Sequence, residues 1–336
     1  FAEDTYRTLT AVDSVIVVID VAKGVESQTE KLAEVCRMRN TPVMVFINKL
    51  DREGKDVFDL LDEVEQKLNI GVRPMSWPIG MGQRFKGVYD LLDSKLNLIS
   101  GTDKQRVQDT IEISDLDDLK LEEHIGVEDA DLLREEVELV NGVYPELDLQ
   151  EYLDAKIAPV FFGSALNNFG VKEMLDQFIK IAPPPRGTST EERDIDPLDD
   201  KFTGFVFKIH ANIDPNHRNR IAFLRVTSGK FERNKGYKHV RSGKDLRFSG
   251  PTSFMAQKKE VIEEAFPGDI IGLHDSGNFK IGDALTTGEP LHFKGIPSFS
   301  PEMFRYIENA DPMKTKQLNK GIDMLMDEGV AQLFTR

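Results

Sequence analysis

Asn48, Lys49 and Asp51 stand together where an apolar run, Pro42-Val43-Met44-Val45-Phe46-Ile47, gives out. An amide, an ammonium on a long stem and a carboxylate at that spacing suit a planar, polar heterocycle. Guanine presents N–H donors at N1 and N2 and an acceptor at O6, and one carboxylate can accept from both donors at once. Asp51 is the residue to do so. Adenine offers no such donor pair, and a site built on buried polar groups rejects an analogue that leaves them unpaired. Lys49 can lay its methylene stem along the base while its ammonium stays in water, and Asn48 can bridge the base and neighbouring loops. A second loop, Gly163-Ser164-Ala165-Leu166, follows another apolar run, Pro159-Val160-Phe161-Phe162. Small residues there let the backbone approach a ligand, so that an N–H near Ala165 can donate to guanine O6. The predicted guanine site is therefore Asn48, Lys49 and Asp51 with Ser164, Ala165 and Leu166.

Such loops need strands to carry them. An unbroken apolar run reads as a strand buried on both faces, as in a parallel sheet covered by helices, and ligands bind at the carboxyl ends of such strands. Val15-Ile16-Val17-Val18-Ile19-Asp20 is a second strand of this kind. Ser27-x-x-Glu30 reads as a capping box opening a helix whose stripe is Leu32, Val35 and Cys36. A further helix is expected from about Lys55 to Asn69, with Val57, Leu60, Leu61, Val64 and Leu68 on one face. The alternation β-α-β-α is that of a doubly wound α/β fold.

Residues 71–150 break the alternation and read as an insertion, with a strongly acidic, solvated stretch over 101–140. After the strand at Pro159–Phe162, a helix with Val171, Met174, Leu175, Phe178 and Ile179 on one face closes the domain. Pro183-Pro184-Pro185 stops it, so the first domain spans 1–185 and residues 186–201 form a linker. Over 202–294 short strands rich in β-branched and aromatic residues recur between Gly-containing turns, which predicts a small closed β-barrel. Arg218 and Arg220 in the loop His210–Arg220 are a candidate basic face for RNA. From 295 to 336 a strand near Met303–Ile307, a helix from about Thr315 to Glu328 and a strand at Ala331–Arg336 begin an α+β domain too short to be complete. The chain reads as cut at both ends.

At 336 residues, 40% hydrophobic and 30% charged, this is the composition of a soluble globular chain of two or three domains. The expected compartment is the cytosol, since no apolar run reaches membrane-spanning length and the one cysteine, Cys36, sits at core spacing. A net charge of −15 argues against indiscriminate nucleic-acid binding, DNA included. No Gly-x-x-x-x-Gly-Lys-Ser/Thr phosphate loop occurs, and the histidines show no metal-ligand spacing. Asp51-Arg52-Glu53-Gly54 formally matches an Asp-x-x-Gly metal motif, but Asp51 cannot face both base and metal.

Asn48-Lys49-Leu50-Asp51 and Ser164-Ala165-Leu166 are similar to the two guanine loops of the translational GTPases. Within that group the segment Phe202–Lys230, containing Phe205-Val206-Phe207-Lys208-Ile209-His210-Ala211, resembles the bacterial peptide-chain release factor 3 family closely and elongation factor G only in outline. Phe1–Asp13 also resembles the family, where it follows the second switch. The resemblance runs essentially from Phe1 to Arg336.

It implies a ribosome-dependent GTPase of translation termination that recycles the codon-reading release factors, with GTP and GDP as ligands and Mg2+ as cofactor in the full-length protein. It further implies that the phosphate loop, the switches and the water-positioning histidine belong upstream of Phe1. On that basis no catalytic or metal residue is expected in this chain, and the chain alone is expected to be inactive. Two alternatives are an elongation-factor-G-like translocation GTPase and a non-enzymatic ribosome-binding module.

Overall fold

The computed structural model describes residues 2–102, 105–211, 220–255, 258–275, 277–296, 304–327, 329 and 332–334. Residues 14–183 form one compact unit, and residues 1–13 with 184–336 form a second. The chain opens on helix α1 (Ala2–Leu9), which belongs to the second unit.

The first unit is built on a parallel sheet. Strands β1 (Val15–Asp20), β2 (Val43–Asn48) and β3 (Gly71–Pro74) belong to it, separated by helices α2 (Ser27–Met38) and α3 (Val57–Leu68). Four antiparallel strands follow as a separate sheet in sequence order: β4 (Ser76–Ile79), β5 (Gly87–Asp90), β6 (Lys95–Thr102) and β7 (Gln105–Glu112). Helices α4 (Leu119–Ile125), α5 (Val127–Val143) and α6 (Leu149–Leu153) lead back to β8 (Ile157–Phe162), and α7 (Val171–Ile181) closes the unit. The parallel sheet has the order β1-β2-β8-β3. Both strands that end in guanine-type loops are therefore central and adjacent, with Val45, Phe46 and Ile47 in register with Val160, Phe161 and Phe162.

Burial explains why these strands hold their place. Val43 through Ile47 and Ile157 through Phe162 are all buried, and burying each such side chain is worth about 1.5–3 kcal/mol relative to exposure. β1 lies at the sheet edge, with Val18 57% exposed. α3 starts on Asp56, whose carboxylate accepts the N–H groups of Phe58 and Asp59, and ends on Asn69 in the left-handed conformation. Its buried face is Leu60, Leu61, Val64 and Leu68.

Three helix expectations can be compared with the structure, and two need correction. Ser27 is the first helical residue of α2, its N-cap is Glu26, and no side chain caps it. The Glu30 carboxylate lies instead 3.6 Å from the Lys67 ammonium. On α7, Leu175 and Ile179 are exposed, and the packed stripe is Val171, Met174, Phe178 and Ile181. Cys36 is buried as expected, and burial pushes its thiol up to about 11, as suits a core residue.

The antiparallel sheet is tied to its helices by polar contacts. The Trp77 indole N–H donates to Glu136 on α5 at 2.7 Å, while its ring lies 4.8 Å from Phe58 and 5.6 Å from Phe162. Lys86 donates to the Ile125 carbonyl and pairs with Asp129, both at 2.5 Å.

The second unit continues with the short pair β9 (Thr188–Ser189) and β10 (Asp194–Ile195), then β11 (Thr203–Ala211), β12 (Arg220–Ser228), β13 (Phe231–Glu232) and β14 (Gly236–His239). After them come β15 (Lys244–Arg247), β16 (Thr252–Met255), β17 (Lys258–Val261), β18 (Glu264–Ala265), β19 (Ile270–Asp275) and β20 (Ala284–Thr286). One eight-stranded sheet, β15-β14-β20-β11-β12-β19-β16-β17, curls around a core of Phe202, Val206, Leu224, Phe231, Tyr237 and Leu273, with β13 and β18 paired apart. Among the described residues β15 and β17 are open edges, so the domain is a half-barrel rather than the closed barrel expected.

α1 is anchored to this sheet. Lys208 pairs with Asp4 at 2.5 Å, Ala11 packs with Phe205 and Phe207, and the buried Arg225 guanidinium donates to Asp13 and to the Gly268 carbonyl. At the carboxyl end, helix α8 spans Thr315–Asp327. Residues 304–307, expected as a strand, lie outside regular elements, as do 332–334, the described part of the expected last strand.

Candidate guanine-binding site

The carboxyl ends of β1, β2 and β8 bring two loops together. β2 ends on Asn48, in register with Asp20 of β1. Lys49 then takes φ +71°, a left-handed conformation that a side chain adopts at a cost of about 1–3 kcal/mol. Backbone bonds fix the loop from three sides: Val21 N–H to Asn48 O at 3.0 Å, Leu50 N–H to Gly163 O at 3.2 Å, and Gly82 N–H to Leu50 O at 2.9 Å. Leu50 is fully buried beneath it.

The second loop is equally constrained. Ser164 and Phe169 exchange both backbone hydrogen bonds at 3.0 Å, and the buried Ser164 hydroxyl accepts from the Asn167 side chain at 2.8 Å. Asn168 and Gly170 take φ +54° and +72° to make the turn. Gly163 must be glycine, because a Cβ there would lie 2.2 Å from the Phe169 carbonyl oxygen and 2.9 Å from the Phe46 ring.

Asn48 joins the two loops: its Oδ1 accepts the N–H groups of Lys49 and Ala165, both at 2.8 Å. Ala165 N–H thus has Asn48 as its partner, rather than standing ready for O6 alone. Leu166 is 84% exposed. Asp51 Oδ1 is buried and accepts no hydrogen bond from the described chain. A buried, unmatched carboxylate oxygen is costly unless a donor reaches it.

The Lys49 ammonium does not stand in open water. It donates to Asp20 Oδ2 at 2.6 Å, with 42% of its side chain exposed against 18% for Asp20. This hydrogen bond holds the Asp20 carboxyl below the usual carboxylate range, helped by the N–H groups of Ala22 and Lys23. Sequence reasoning missed Asp20. The available signal was the apolar run Val15–Ile19 ending in a carboxylate, parallel to the run ending at Asn48.

Two other polar constellations lie in the second unit. Ser242 Oγ meets His239 Nδ1 and His239 Nε2 meets Asp283, each at 2.8 Å, a grouping the sequence did not suggest. The imidazole is 1% exposed, and Asp283 is also gripped by Arg241 and the Lys280 N–H. The trio stitches β14 to the turn before β20, with its imidazole and carboxylate buried and Ser242 exposed. Arg220 is no RNA contact either: it is 5% exposed, 3.5 Å from Asp275, while Arg218 lies outside the described residues.

The residues present fit the base of a guanine nucleotide. Among the described residues the group of three with metal-ligand spacing is Glu191, Glu192 and His292, all exposed and in the second unit. No helix among the described residues is long and apolar enough to cross a membrane.

Comparison with known proteins gives three family matches along the chain. Residues 1–184 match the family model of the elongation factor Tu GTP binding domain, and residues 201–288 that of elongation factor G domain 2. Residues 293–336 match the C-terminal domain of class II release factor RF3. Among solved structures, a crystal structure of a protein from Thermus thermophilus superposes with a TM-score of 0.66 over 97% of this chain at 19% identity, which shows a shared fold. The chain spans 48% of that relative's length. One GTP-binding family matches more than half of the chain and the carboxyl-terminal match narrows the assignment, so the chain belongs to the translational GTPases of the release factor 3 type.

Proposed function

We propose that this protein reads guanine through Asp51 and uses GTP on the ribosome during translation termination, recycling the codon-reading release factors once the peptide is freed. The observation that carries the nucleotide assignment is the buried Asp51 Oδ1 with no donor from the described chain. Guanine N1–H and N2–H supply the donors it lacks. Lys49 contributes its stem as a wall for the base, Asn48 holds the two loops in contact, and the short residues Ser164 and Ala165 permit close approach at O6.

The termination assignment is supported by the release factor match over 293–336, which an elongation-factor-G-like translocase does not lead one to expect. Hydrolysis in this class is water attack on the γ-phosphate, driven by positioning and charge neutralisation. Magnesium, when bound with the nucleotide, supplies part of that neutralisation. On this reading the described residues serve base recognition, and none of them is assigned to the phosphates.

The test uses the protein at its full genomic length. Ribosomes carrying a codon-reading release factor should raise its GTP hydrolysis and lose that factor in a GTP-dependent way. Hydrolysis stimulated equally by ribosomes without a release factor, with no factor lost, would favour the translocase.

A further inference from the structure

Asp20 is a carboxylate shared between the turn after β1 and the base-reading loop after β2. Its two oxygens divide the work. Oδ1 accepts the N–H groups of Ala22 at 2.9 Å and Lys23 at 3.4 Å, closing a turn completed by Gly24 N–H to Asp20 O at 2.8 Å. Oδ2 takes the Lys49 ammonium at 2.6 Å. The turn is itself braced against the loop, because Lys55 N–H donates to Val21 O at 3.0 Å and Gly54 packs against Val21 so tightly that a Cβ would come within 2.8 Å. A lysine side chain carries several rotatable bonds, and at φ +71° its preferred directions are not those of an ordinary strand residue. Something must choose its direction. In register beside Asn48, Asp20 stands where it can.

We propose that Asp20 is a positioning residue for guanine-nucleotide binding: it anchors the Lys49 ammonium so that the methylene stem is already laid out as one wall of the base site. This rests on the guanine reading above. Pre-ordering the stem spares the rotamer entropy that binding would otherwise cost. Asp20 does not touch the base, so it sets how tightly the nucleotide is held without setting which base is chosen.

Asp20→Asn is the informative variant. The amide oxygen can still close the turn through Ala22 and Lys23, while the NH2 group faces the ammonium donor to donor. GDP, xanthosine diphosphate and ADP are titrated into the chain and followed by amide chemical shifts in heteronuclear NMR, which reads weak binding. GDP affinity should fall about threefold to tenfold, the range of one partly exposed charge-assisted hydrogen bond, with the preference for guanine over xanthine kept. Lys49→Met should weaken binding on its own, and adding Asp20→Asn to it should weaken binding no further. A full additional loss in the Lys49→Met background, or unchanged GDP affinity in Asp20→Asn, would overturn the proposal while leaving guanine recognition standing. A parent chain with no preference for GDP over ADP would overturn both.

Discussion

The Arg220–Asp275 pair makes a sharp stability test. The two residues face each other in register across β12 and β19, their side chains 6% and 0% exposed. Asp275 Oδ1 also accepts the N–H groups of Gly277, Asn278 and Phe279 at 2.9, 2.7 and 3.4 Å. Asp275→Asn keeps a carbonyl for those donors and removes only the negative charge that lies 3.5 Å from the buried Arg220 guanidinium. Breaking one side of a buried pair costs about 3–5 kcal/mol, and the retained hydrogen bonds put this variant near the lower end. With a urea dependence of roughly 1–3 kcal/mol per molar, the half-barrel's midpoint should drop by roughly 1–3 M. The chain's single tryptophan, Trp77, lies in the other unit, so its fluorescence will not report this event. Far-UV circular dichroism and amide exchange of β12 and β19 will. Arg220→Met added to Asp275→Asn removes the cation that faced the lost carboxylate and should recover about half of the loss. A loss below about 1 kcal/mol in the single variant, or no recovery in the double, would refute the buried-charge reasoning.

Glu136 is held above the usual carboxylate range, mainly by burial, although the Trp77 indole N–H opposes the shift. A folded pKa raised above the unfolded one contributes stability below the unfolded value that is lost as pH rises through the folded value. Glu136→Gln keeps an acceptor for the indole, so it should flatten this dependence and leave stability near pH 7 unchanged or up to about 1 kcal/mol higher, read by tryptophan fluorescence in urea at pH 5 and pH 8. Gly163→Ala forces a Cβ against Phe169 O and Phe46. The first unit should lose about 1–3 kcal/mol, and guanine preference should weaken because the Asn48–Ala165 bond shifts with the loop. Unchanged stability and preference together would show that the loop has more room than its contacts indicate.

Where the sequence was legible, burial was total. β2 and β8 are covered on both faces, so their apolar runs stood out, and the polar residues ending them marked the loops that meet through Asn48. Where packing partners decide the outcome, the sequence was silent or misleading. Leu175 and Ile179 share the helical spacing of Met174 and Phe178, yet the sheet meets only one narrow stripe of α7. Ser27 and Glu30 have the capping-box pattern, but Glu30 faces Lys67 from another helix. Arg220 looked like a surface cation because Asp275, its partner, is 55 residues further along the chain. The hairpin β6–β7 was missed because its strands mix polar and apolar residues without a clean alternation. Asp20 was hidden for the same reason as Arg220: its role depends on Lys49, which only strand pairing brings near.

Base recognition by Asp51 is tested most directly by competition between GTP and xanthosine triphosphate, in the parent protein and in Asp51→Asn. The amide places a donor against guanine N1–H, while xanthine offers a carbonyl where guanine carries its N2 amine. The parent should prefer GTP, and the variant should lose that preference and turn towards xanthosine triphosphate by about tenfold or more, since each mismatched buried hydrogen bond costs on the order of 1–3 kcal/mol. An Asp51→Asn protein that keeps the parent's preference for GTP would take Asp51 out of the base-reading role.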